Sequence, residues 1–121
     1  MRWCAILVAA LIVQGCGLLD QGLACTDQFV YAITVEVRDS STGEALASPL
    51  TGVLTDGEYR ETMEVHRHIL NGGGERPGVY DVDVRAEGYR PWQIKGVEAG
   101  HDECHVENIM LLAEMVRSGA S

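Results

Sequence analysis

The sequence predicts an all-β fold, an antiparallel β-sandwich of six to seven strands, and three observations carry that expectation. Apolar residues recur at every second position in several stretches, most plainly where Tyr80, Val82, Val84 and Ala86 alternate with Asp81, Asp83, Arg85 and Glu87. Glycine-containing turn sequences punctuate these stretches at near-regular spacing. No segment shows a convincing helical period, and the 121 residues suffice for one compact domain without an internal repeat.

The first element stands apart from the sandwich. Eleven apolar residues, 3–13, follow the single cation Arg2 and lead into Gln14, Gly15 and Cys16. A membrane-crossing helix needs about 20 such residues, so this run is too short to span, and its charged start, apolar middle and small Gly15 suit a secretory leader. A buried strand is the other reading, but an unalternating apolar run has to be covered on both faces. Val13-Gln14-Gly15-Cys16 resembles the lipobox of bacterial lipoproteins, with an aliphatic residue three positions before the cysteine and a small one directly before it. A second candidate, Gly22-Leu23-Ala24-Cys25, lacks the aliphatic residue at its first position. The resemblance implies residues 1–15 as a signal peptide, cleavage before Cys16, and acyl chains on Cys16 that anchor the protein to a membrane of the cell envelope.

Residues 16–28 read as a lipidated tether, and residues 29–115 as the sandwich. Tyr31, Ile33, Val35 and Val37 alternate with polar neighbours as the first strand, and Asp39-Ser40-Ser41-Thr42-Gly43 is a turn, since these side chains hydrogen-bond their own backbone. A second extended piece runs through Val53 and Leu54 after a break at Pro49. Asp56-Gly57 suits the centre of a type I′ hairpin. One strand is expected from Glu58 through Ile69, with Tyr59, Met63, Val65 and Ile69 facing in. Residues 71–78, "NGGGERPG", are expected to form a mobile loop. The strand at Tyr80 follows, then a turn at Gly88, a strand after it, a turn at Gly100, and a last strand from about Cys104 to Leu112. Residues 116–121 are expected to be a flexible tail.

Eighteen acidic against nine basic side chains give a net charge of −9, which disfavours nucleic acid, whose phosphates are bound by clustered Lys and Arg. Of four cysteines, Cys4 leaves with the leader and Cys16 takes lipid, so Cys25 and Cys104 are expected to form a disulfide in an oxidising compartment. Two buried thiols or a metal pair are the alternatives, the latter without a Cys-x-x-Cys spacing to support it.

"VEVRDSSTGEAL", "TDGEY" and "RPGVYDVDVRAEGYRPW" together resemble the carboxypeptidase regulatory-like domain, across roughly residues 33–112. The resemblance implies a transthyretin-like, or prealbumin-like, sandwich, related in architecture to immunoglobulin-like folds. It also implies an accessory role without catalytic residues and without a cofactor.

Four groups of residues are candidate sites. His66 and His68, two apart on one strand beside Glu64, could begin a zinc site, with His101, Asp102 and His105 as further ligands if tertiary structure brings them together. A comparable sandwich in intradiol dioxygenases holds iron with two tyrosines and a His-x-His, but Tyr31 and Tyr59 are expected on buried faces. The Tyr-Arg-Gly-Ser ending of transthyretin-like 5-hydroxyisourate hydrolases is missing, since this chain ends "VRSGAS". Asp81, Asp83 and Glu87 lack a calcium-binding loop and read as a solvated face. Tyr89, Arg90 and Trp92, around Pro91, offer two aromatics and a cation for a protein or glycan partner. The sequence therefore predicts a lipid-anchored, exported, non-catalytic accessory module, against the alternative of a metal-dependent enzyme centred on His66 and His68.

Overall fold

In a computed structural model the structure describes residues 25–119, which form eight strands and no helix. The leader, Cys16 and the first part of the tether lie outside the described residues. The strands are β1 (Tyr31–Asp39), β2 (Leu50–Asp56), β3 (Tyr59–Thr62), β4 (Glu64–His66), β5 (Ile69–Gly74), β6 (Gly78–Ala86), β7 (Trp92–Ala99) and β8 (Ile109–Met115). They make two four-stranded sheets, ordered β4-β5-β1-β8 and β3-β2-β6-β7. The sandwich expected from the sequence is present, with eight strands in place of six or seven. It is not wholly antiparallel either, because β8 runs parallel to β1, with Val35 opposite Leu111.

Alternation builds the core. Ile33, Val35 and Val37 on β1, Leu54 on β2, and Tyr80, Val82 and Val84 on β6 are essentially inaccessible to water, and each such side chain contributes about 1.5–3 kcal/mol by leaving it. Tyr80 is buried whole because its hydroxyl finds partners: it donates to the Arg76 carbonyl at 2.6 Å and accepts from the Arg76 guanidinium at 3.1 Å. Tyr31 is only half-buried, at the margin of this core, and its hydroxyl donates to Glu64.

Four expectations are corrected. The stretch expected as one strand after Glu58 is two, because the chain leaves one sheet at Met63 and joins the other. β3 pairs with β2 while β4 pairs with β5, and Val65, expected inside, is exposed. The glycines of "NGGGERPG" are strand, not loop: Asn71, Gly72 and Gly74 pair with β1. Their missing side chains leave room that neighbours occupy, since a Cβ on Gly72 would lie 2.7 Å from Cδ1 of Leu54 in the facing sheet. The last strand starts at Ile109, later than expected, because Asp102 accepts hydrogen bonds from the backbone N–H groups of Cys104 and His105, both at 2.8 Å, and folds that segment into a turn. β8 keeps strict alternation, with Met110 and Leu112 exposed on its outer face. The expected tail is held as far as Ser118, whose N–H donates to Gly88, while Arg90 donates to the carbonyl of Val116.

The hairpin at Asp56-Gly57 forms in a different register. Asp56 pairs with Tyr59, so Gly57 and Glu58 are the central residues, and only Gly57 has positive φ, at 63°, the requirement of a type II′ turn.

Candidate functional site

The outer face of the β3-β2-β6-β7 sheet carries a concave surface of mixed polar and apolar lining. Pairing sets the side chains in rows: Arg60, Thr55 and Asp81 lie across three adjacent strands, and Val53, Asp83 and Gln93 across another three. These rows line a depression of about 430 Å³, completed by Arg85, Ile94 and Lys95. A register shift between Tyr80 and Val82, together with Gly96 at φ 70°, reshapes β7 where it meets β6, and the N–H of Gly96 turns onto Asp81 at 3.0 Å. A second depression of about 410 Å³, walled by Pro49, Tyr89 and Pro91, shares Thr51 and Arg85 with the first. The two adjoin at these residues and are together termed the groove.

Its polar groups are held in place before any ligand arrives. Asp83 accepts from Nε of Arg85 at 2.8 Å and from the Gln93 amide at 2.5 Å, and the Arg85 guanidinium, ahead of Gln93, lowers its pKa. Asp81 has only the Gly96 N–H and a loose contact with Lys95 at 3.9 Å. Arg60 reaches Asp83 only through space.

The residues singled out in the sequence fall as follows. Tyr89 is half-buried and walls the second depression, but its hydroxyl is engaged, donating at 2.7 Å to Asp39. Arg90 is exposed, and Trp92 packs half-buried against the core. His66 ends β4 and is exposed, whereas His68 lies in the turn after it, with Nε2 3.8 Å from Glu36. The pair therefore does not share one strand face as expected, because the β4–β5 hairpin turns between them. No group of three or more His, Cys, Asp or Glu side chains among the described residues is placed to hold a metal ion. Cys25 and Cys104 are joined as a disulfide, with Cα atoms 5.3 Å apart, within the ordinary span of such bonds.

Beside that disulfide lies a cluster that the sequence did not reveal. His105 Nδ1 is 3.0 Å from Glu75, and its Nε2 is 3.0 Å from the hydroxyl of Thr26. This hydroxyl–imidazole–carboxylate order is that of a nucleophile relay. The groove does not reach it, however, and Glu75 is occupied by structure: its carboxylate accepts from the Val30 N–H at 2.9 Å, the main reason its pKa is lowered. Glu75 holds a left-handed φ of 51° to do so. The cluster is a clasp that fixes residues 25–30 to the 101–106 loop. Its members are dozens of residues apart in the chain, so no local pattern could have announced it.

No family model matches this chain, and no curated protein matches it.

Proposed function

We propose that this protein is an envelope lipoprotein anchored through Cys16, whose β-sandwich, of the carboxypeptidase regulatory-like kind, does no chemistry and serves as a binding or structural accessory module. The observation that carries the reading is the polarity of the sandwich. The chain enters β1 at the end that holds the disulfide and the clasp, and the groove runs along the outer face toward Tyr89 and Pro91 near the opposite end, beside Asp39 and Arg117. A tether leaving the first end would hold the groove clear of the membrane surface. The disulfide supports an oxidising compartment, where such bonds persist. Protein and glycan partners are both compatible with an exposed groove of mixed charge.

Fractionation of bacteria producing the protein tests the anchor. The native chain is expected in membranes, retained through a high-salt wash and released by detergent, while Cys16→Ser is expected in the aqueous fraction. Equal membrane retention of both would overturn the lipoprotein reading.

A further inference from the structure

The groove itself narrows the class of partner. It crosses the face of the sheet from β3 to β7, where side chains project, so a ligand lying in it is met by side chains and not by strand pairing. Apolar lining is interspersed with charged and amide side chains, Val53 sharing a row with Asp83 and Gln93. Its charges alternate, with Asp81 and Asp83 set among Arg60, Arg85 and Lys95, which suits neither a polyanion nor a polycation. Vicinal hydroxyl groups fit this alternation. Each hydroxyl both donates and accepts, so a neighbouring pair can donate to a carboxylate while accepting from a guanidinium or amide. Asp83, Arg85 and Gln93 form such a donor and acceptor set, fixed by mutual hydrogen bonds, so little side-chain entropy is lost on binding. Val53, in the row with Asp83 and Gln93, offers apolar contact to the C–H face of a sugar ring, and the two adjacent depressions give length for more than one ring.

We propose that this groove binds a linear glycan through vicinal hydroxyl groups, with Asp83, Arg85 and Gln93 as the central contacts and Tyr89 and Pro91 walling one end. The inference rests on the binding-module reading given above. The test uses the full chain purified in detergent, titrated calorimetrically with cello-, malto- and chito-hexaose at millimolar concentration. Saturable binding of at least one of these is expected, weakened about tenfold by Gln93→Ala and by Asp83→Asn, as the loss of one hydrogen bond implies, with thermal unfolding unchanged. Glu98→Gln, outside the groove, is expected to bind as the native chain does. No binding of any hexasaccharide by the folded protein, or binding indifferent to both groove substitutions, would overturn the glycan assignment. Cross-linking of intact envelopes with the same variants separates that result from failure of the wider reading, since a protein partner lost on groove substitution would retain the binding module and replace its ligand.

Discussion

Asp39 is the only buried charged residue among those described, and it explains why the turn after β1 is so plain in the sequence. Its Oδ1 accepts from the N–H groups of Ser41 and Thr42, and its Oδ2 takes the Tyr89 hydroxyl and faces Arg117 at 3.2 Å. One carboxylate thus closes its own turn and ties three distant segments together. The Tyr89 hydroxyl, and after it the Ser41 N–H, pull its pKa from 3.8 down to about 2. A lowered folded-state pKa means that the stabilisation is complete above the ordinary value and is lost as pH falls through about 2. Asp39→Asn is therefore expected to flatten the dependence of the urea midpoint on pH between 4 and 2 while lowering that midpoint at neutral pH. Urea titrations of both proteins at several pH values check this, and parallel curves would show that Asp39 does not supply the acid sensitivity.

At the scale of elements, β5 holds the sharpest difference between sequence and structure. β1 and β6 were legible because they bury one face, and their alternation survives into the burial of Val35, Val37, Val82 and Val84. Three successive glycines carry no alternation, so β5 was illegible; its pairing comes from β1, and at Gly72 the room of a side chain is taken by Leu54 and Met63. The same reasoning gives an ordered expectation. Gly72→Ala drives a methyl group against the fully buried Leu54 and should cost about 1–3 kcal/mol, whereas Gly74→Ala meets the ring of Phe29, which is 60% exposed and can swing aside. Thermal melts of the two variants test this, and a milder effect at Gly72 than at Gly74 would contradict the packing. β8 differs again. It is an edge strand of seven residues with no lysine, proline or bulge, and it exposes Met110 and Leu112. Leu112→Lys is expected to leave the melting temperature within a few degrees and to raise the protein concentration at which light scattering appears, because a charge on a bare edge opposes strand-to-strand association. The groove was half legible for a related reason. Period two places Asp81, Asp83 and Arg85 outward, but only the registers of β2, β3 and β7 bring Thr55, Arg60 and Gln93 beside them.

For the molecule as a whole, the Cys25 to Cys104 bond spans 79 residues and encloses all the strands except β8. Closing so long a loop in the unfolded chain contributes about 4–5 kcal/mol on the entropic account, a large share of what a domain this small possesses. Unfolding in urea with and without reductant is expected to differ by most of that amount, and a midpoint unmoved by reduction would mean that the clasp of Thr26, His105 and Glu75 already holds the ends. On the proposed reading export, the disulfide and the lipid anchor are linked, because the bond persists in an oxidising compartment to which a leader would carry the chain, and removal of residues 1–15 would leave Cys16 as the cysteine outside the bond. Intact mass spectrometry of protein extracted from bacterial membranes without reductant reads all three together. The expected species begins at Cys16, carries the mass of a diacylglycerol and an acyl chain, and is two hydrogens lighter than the dithiol; a chain that keeps residues 1–15, or whose Cys25 and Cys104 are alkylated without reduction, would contradict the account.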